Sequence, residues 1–347
     1  MRDLAPVDSS EISVVIQGPL FRNQGPDRNI FSCIASIRTY LPQAEIIVST
    51  WRDENVSGLM ADQLVLSDDP GCFRDHNGNQ VNTNRMLVST HVGVQAAKRR
   101  YVMKLRADHN LNSAALAVIG EPEPNDAGGG KLFDTPITLT TLYIRNPKKV
   151  PMLFHISDLV QFGTREAMLA LWAQPLLKAQ EVLRSRPCRN PFGNFVGHTC
   201  IRMIPEQSIM LGAMRMQGID IKLTHPCQVR QSTLKVWDCI LSTNFRVLDY
   251  AESGVDYPER FLKNASPLKT LYKASEIEEL HRRGPQDYTA RIASVWINQY
   301  LLSCFRAGWW ISLASMILFT TSPTLATTLR SYWRRVRKVT HEASYRN

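Results

Sequence analysis

The sequence predicts an α/β fold, a mostly parallel sheet with helices on both faces, followed by a C-terminal helical extension. Three observations carry that reading. Short apolar runs rich in β-branched residues alternate with longer stretches of helical spacing, the order that builds parallel sheets. The first run, ISVVI at residues 12–16, is apolar almost throughout, as a strand buried on both faces requires. After residue 111 the rhythm changes, and residues 307–329 contain no charged side chain.

Taken in order, the first strand runs into Gln17-Gly18-Pro19, a turn that exposes backbone to a ligand. Residues 29–40 carry apolar side chains at helical spacing until Pro42 stops them. A second strand at 45–48 ends on Ser49-Thr50-Trp51 and the acidic Asp53-Glu54, and a third at 63–66 ends on Asp68-Asp69-Pro70-Gly71. Residues 82–100 read as a helix and 101–105 as a fourth strand. Residues 121–130, EPEPNDAGGG, read as a surface loop. Strands are expected at 137–144 and at 155–162, the latter broken at Gly163-Thr164. Thr164 is expected to cap a helix over 165–173, with residues 184–198 loop-like. Pro205-Glu206-Gln207 opens another helix, with Pro and Glu where a first turn favours them.

A chain of 347 residues holds one large α/β domain or two small ones, and a hydrophobic fraction of 44% excludes global disorder. The division expected is an α/β domain over residues 1–260 and a helical extension over 261–347. The formal net charge of +10 fits anionic partners. Seven Cys, an odd number with no CxxC pair, fit a reducing compartment. The N-terminal MRDLAPVDSSE has no apolar h-region, so a cytoplasmic location is expected. Beyond the uncharged stretch come Arg330, Trp333, Arg334, Arg335, Arg337 and Lys338. The uncharged stretch is therefore read as a packing helix, as a peripheral anchor at the inner membrane with Trp at the interface and the basic cluster to residue 338 on anionic headgroups, or as a true membrane span.

The chemistry concentrates where the fourth strand stops. It ends on Lys104, Arg106, Asp108 and His109, and in open α/β sheets ligands bind beyond the carboxyl ends of the strands. Lys104 and Arg106 alternate on one face and suit phosphate, while Asp108 suits a divalent ion, Mg2+ or Mn2+, bridging phosphates. Glu206, at a helix N-terminus, is the first candidate for a general base and Asp158 the second, because an ionised carboxylate can take a proton. His155, His198 and His225 are weaker candidates for a metal ligand, and His109, next to Asp108, is expected to point to the opposite face. There is no zinc-site spacing, no Walker loop and no GxGxxG.

The succession ISVVIQGPL, IRTYLPQAEIIVSTW, DDPG, NTNRMLVSTHVGVQAAKRRYVMKLRAD, FHISDLVQFGTREAMLALW and MIPEQ resembles the WavE-type lipopolysaccharide-synthesis family over roughly residues 11–260. The resemblance implies a glycosyltransferase of GT-A-like, Rossmann-related fold, acting on a nucleotide-sugar donor and a saccharide or lipid-linked saccharide acceptor. It implies that Gln17, Gly18 and Pro19 lie under the nucleotide and that Asp53 holds the base or ribose. It also implies that Asn84 and Arg85 face the diphosphate and that Glu206 binds the acceptor. One departure stands out: where such enzymes carry Asp-x-Asp, this chain has Arg106-Ala107-Asp108, which leaves one carboxylate and puts the metal requirement in question.

Two other classes are weighed. A sugar-phosphate nucleotidyltransferase would carry a Gly-rich loop with Arg and Lys after the first strand, and QGPLFRNQG matches that poorly. A non-catalytic protein binding anionic membrane or nucleic acid would use the net charge. Nucleic acid is not expected as a partner, because the basic residues are scattered apart from the C-terminal cluster.

Overall fold

A computed structural model of the protein describes residues 5–23, 25, 27–74, 80–120, 130–185, 200–262, 268–283, 288–305 and 307–336. The loop expected over 121–130 lies, except for Gly130, outside the described residues, and so does most of the 184–198 segment, His198 included.

The first half follows the predicted order. β1 (Ile12–Gln17) leads to α1 (Ile30–Tyr40), β2 (Glu45–Trp51) and β3 (Gln63–Ser67). The short pair β4 (Phe73–Arg74) and β5 (Gln80–Val81) precedes α2 (Thr83–Ala96), β6 (Tyr101–Arg106) and β7 (Asn110–Leu111). α1 starts where it does because the Asn29 side chain accepts from the backbone N–H groups of Phe31 and Ser32. Every residue of β1 and β2 is buried. Their side chains and those of β6 alternate between two cores, with Val15, Ile47 and Val102 toward one and Val14, Ile16, Ile46, Val48, Met103 and Leu105 toward the other. That explains why the strands read as continuous apolar runs.

The second half adds β8 (Ile137–Thr140), β9 (Gln161–Thr164), α3 (Arg165–Trp172), α4 (Ala179–Val182), α5 (Pro205–Met216), α6 (Gln231–Asn244), β10 (Phe245–Leu248), β11 (Val255–Asp256) and α7 (Glu259–Leu262). The seven-stranded sheet has the order β10-β8-β9-β6-β1-β2-β3, and only β9 runs antiparallel to its neighbours. The chain moves from β1 outward to β3, then returns to place β6 on the other side of β1. The order therefore reverses between β1 and β6, and their pairing ends at Gln17 opposite Arg106. A crevice opens at such a reversal.

Two expected strands differ. The one at 137–144 stops at Thr140, and Tyr143 takes a positive φ of 72°. The one at 155–162 shifts to 161–164, so Gly163 continues the strand instead of breaking it. A Cβ at Gly163 would lie 3.2 Å from Ile137 Cγ1, so the glycine lets β9 approach β8 closely. The chain before β9 turns at Phe154, where φ is 59°. β10 and α6 carried no recognised signal.

The division drawn at residue 260 falls inside α7. Tyr272, Ile277 and Val295 pack into the same core as Val15 and Phe154. Arg291 holds Asp238 of α6 with both terminal nitrogens and reaches Tyr272 Oη at 2.8 Å. Burial pushes Asp238 up to about 6 in spite of that partner. The uncharged C-terminal stretch is interrupted at Ser322, giving helices Ala307–Thr321 and Pro323–Val336. Among the described residues no helix is long and apolar enough to cross a membrane.

Candidate active site

A cavity of about 970 Å³ opens at the carboxyl ends of β1, β2 and β6, where Gln17, Trp51 and Arg106 line it. The turn after β1 forms part of its wall through Gly18 and Pro19. Gly18 has a φ of 87°, and its N–H donates to Ser49 carbonyl oxygen at 3.0 Å, which ties the turn to the end of β2. Gln17 is buried and accepts from Ser89 Oγ of α2 at 2.8 Å. Asp53 lines the cavity beside Glu54, whose carboxyl is raised mainly by burial.

Arg85 also lines the cavity, from the first turn of α2. Its Nε donates to Asp69 Oδ1 at 2.7 Å and its Nη2 to Asp69 Oδ2, so the pair closes as a fork. Arg85 holds the Asp69 carboxyl below its ordinary value. Asn84 corrects an expectation: it lies outside the cavity lining, and its amide bonds Leu177 backbone on both sides, at 3.0 Å as donor and 2.9 Å as acceptor. Its work is to pin the segment after α3 against α2.

Lys104 is the second correction. It shares a face with Arg106, as alternation requires, but two positions further from the strand end it is wholly buried and outside the cavity lining. Its ammonium donates to Asp158 carbonyl oxygen, lies 4.0 Å from Asp158 Oδ2 and sits 4.9 Å from the centre of the Trp172 ring. Burial lowers it to about 8. It holds Asp158 from behind the cavity wall.

Arg106 reaches the cavity. Asp108 does not line it and is wholly buried. Its Oδ1 accepts from Arg106 Nε at 3.0 Å and lies 2.9 Å from His109 Nδ1. Its Oδ2 accepts from Arg106 Nη2 at 3.4 Å and from Arg260 Nη2. A carboxylate has about four lone-pair sites, and four donors occupy them. Burial raises the Asp108 carboxyl, but Arg106 and His109 outweigh it and hold it far below its ordinary value. His109, on the other side, is lowered by burial. The expectation of a divalent ion on Asp108 does not fit this donor set. An ion there would have to displace two guanidinium groups and sit beside them. Among the described residues no group of three or more His, Cys, Asp or Glu is placed to hold a metal ion.

Asp158 and Glu206 both line the cavity. Pro205 starts α5 and puts Glu206 in its first turn. Burial raises the Glu206 carboxyl, and Asp158 beside it raises it further. His155 Nε2 lies 4.0 Å from Glu206 Oε2, yet burial lowers His155 to about 3, so it is a neutral neighbour. Tyr143 lines the cavity as well. Phe21 (φ 52°) and Tyr143 (φ 72°), two of the three positive-φ residues other than glycine among the described residues, flank the site. Such conformations cost about 1–3 kcal/mol each and persist where surroundings enforce them.

Sequence reasoning missed Arg260 and Phe261. β11 pairs antiparallel with β7, Asp256 opposite Asn110, and this delivers α7 to Asp108 from about 150 positions along the chain. A two-residue pairing of this kind leaves no periodic signal.

Fold and cleft together define an α/β protein with a cation-bearing crevice at its sheet reversal and a carboxylate pair on the same cavity. The chain belongs to the WavE lipopolysaccharide synthesis family, which it matches over residues 12–333. The match extends well beyond the stretch whose motifs carry the resemblance. None of the curated proteins compared with it is similar. Among solved structures it is similar to a mannosyltransferase from Pyrobaculum calidifontis in complex with GDP-Man and Mn2+, at 11% identity, 96% coverage of this chain, 90% of that chain and a TM-score of 0.34.

Proposed function

We propose that the protein is a glycosyltransferase of lipopolysaccharide synthesis that moves a sugar from a nucleotide-sugar donor to a saccharide hydroxyl. The observation that carries this reading is that one cavity joins Arg106 and Arg85 to Asp158 and Glu206. The acceptor oxygen attacks the anomeric carbon. The bond from that carbon to the diphosphate oxygen breaks, its electron pair leaves with the nucleoside diphosphate, and the hydroxyl proton passes to a carboxylate. Glu206 is the base in this reading, and Asp158, held by Lys104, tunes it. Arg106 meets the charge that develops on the leaving diphosphate, which is where stabilisation is most effective. Gln17, Gly18 and Pro19 support the nucleotide, and Asp53 holds its base or ribose.

The acceptor is placed at an anionic membrane surface. The two C-terminal helices expose Trp310, Ile311, Ile317, Leu325, Leu329 and Tyr332. The basic cluster follows in sequence; Arg337 and Lys338 and the side chains of Trp333, Arg334 and Arg335 lie outside the described residues.

A panel of nucleotide sugars tests the reading by release of nucleoside diphosphate. Wild type should turn over at least one donor, and Arg106→Ala should be slower by about 10²–10³, the usual effect of removing one charge-stabilising contact. Equal turnover by wild type and Arg106→Ala would remove Arg106 from the reaction.

A further inference from the structure

We propose that Arg260 and Arg106 form a metal-independent clamp for the donor diphosphate, with Asp108 as the buried counter-charge that holds the two guanidinium groups side by side. The proposal rests on the nucleotide-sugar reading above and concerns how the same site takes its charge. Two cations on separate segments repel each other unless an anion lies between them. Asp108 supplies that anion, with Oδ1 facing Arg106 Nε and Oδ2 facing Arg260 Nη2. Two aromatic rings complete the frame. The Arg106 guanidinium lies 5.5 Å from the centre of Phe21 and 5.8 Å from that of Phe261, and the Arg260 guanidinium lies at 5.4 Å and 5.0 Å from the same rings. Such packing restricts both arginines and keeps them charged while partly desolvated.

Within this trio two guanidinium groups face one carboxylate. Arg106 and Phe261 line the cavity; Arg260 stands behind them, outside the lining itself, with its side chain 30% exposed. Arginine presents planar paired donors to phosphate oxygens, so two of them can span a diphosphate. In an Asp-x-Asp arrangement the carboxylates attract a cation that binds phosphate. Here the cations are covalent parts of the chain, and the surviving carboxylate points inward to hold them. Phe21 adopts its positive φ beside these groups, so backbone conformation also supports the frame.

Calorimetric titration of the full-length protein with UDP, GDP, ADP and CDP, in EDTA and again with Mn2+, tests the clamp. At least one nucleoside diphosphate should bind in EDTA, with a Kd within about threefold of its value with Mn2+. Arg260→Ala should weaken that diphosphate roughly tenfold to hundredfold, the loss of one charge-assisted contact, while binding of the matching nucleoside stays unchanged. Arg260→Lys should recover only part of the affinity, because an ammonium lacks the paired donors. Binding that disappears in EDTA and returns with Mn2+ would overturn the clamp and leave the nucleotide-dependent reading standing, as would wild-type affinity in Arg260→Ala. Failure of every nucleoside diphosphate in both media would overturn that reading and the clamp with it.

Discussion

Glu206 is raised above the ordinary glutamate value first by burial and then by the Asp158 carboxylate beside it. A base must be ionised to accept a proton, so transfer should increase as pH rises through an inflection above the usual glutamate range. Asp158→Asn removes the like charge and should move that inflection downward in a profile of kcat/KM against pH. An inflection that stays in place would take Glu206 out of the base role. His155, the histidine beside Glu206, does not complicate the profile, since burial lowers it to about 3. At this scale the sequence was legible wherever position followed from local order. Arg106 closes a strand and Glu206 opens a helix, and both reach the cavity. It was not legible for Lys104, because alternation gives the face of a strand and not the depth below its end. Nor was it for Asn84, whose partner Leu177 is distant in sequence. Arg260 required the β11–β7 pairing to be known first.

The elements that carry the site depend on one close approach. Gly93 of α2 lies over β1 and β2, where a Cβ would meet Val15 Cγ1 at 2.4 Å and Ser49 Cβ at 3.0 Å. Val15 is stiff at χ1 and sits in a strand buried at every position, so it cannot yield. Gly93→Ala should lower stability by about 1–3 kcal/mol through overpacking and push α2, with Arg85, away from the sheet. Urea denaturation followed by circular dichroism measures it, and an unchanged midpoint would show that the helix has room. β1 and β2 were readable as buried, β-branched runs, and β3 and β6 as shorter apolar runs between turn or charge signals. β9 was misplaced because Gly163 reads as a breaker, whereas its missing side chain is what lets it pack on Ile137. β10 follows α6 without an intervening turn, so no break marks it.

Across the whole molecule, the sheet reversal between β1 and β6 is where we propose the donor sits, and the C-terminal helices are the segment we propose for a membrane surface. The exposed aromatic and aliphatic side chains of the last two helices, followed by the basic cluster, are the features on which we base the peripheral membrane location. Removing residues 307–347 should release the protein from anionic vesicles in a pelleting assay while leaving soluble-acceptor turnover intact; unchanged pelleting would end the anchor proposal. The boundary at residue 260 was not readable as a true break, since α7 returns to Asp108 and later residues fill the main core. The central claim is that a donor's diphosphate lies beyond the ends of β1 and β6. A crystal structure of the protein with the nucleoside diphosphate it binds best tests this most directly. Phosphate oxygens should lie within hydrogen-bond distance of the Arg106 guanidinium, with the nucleoside over Gly18 and Pro19. A nucleotide seated elsewhere, with Arg106 still turned wholly into Asp108, would contradict it.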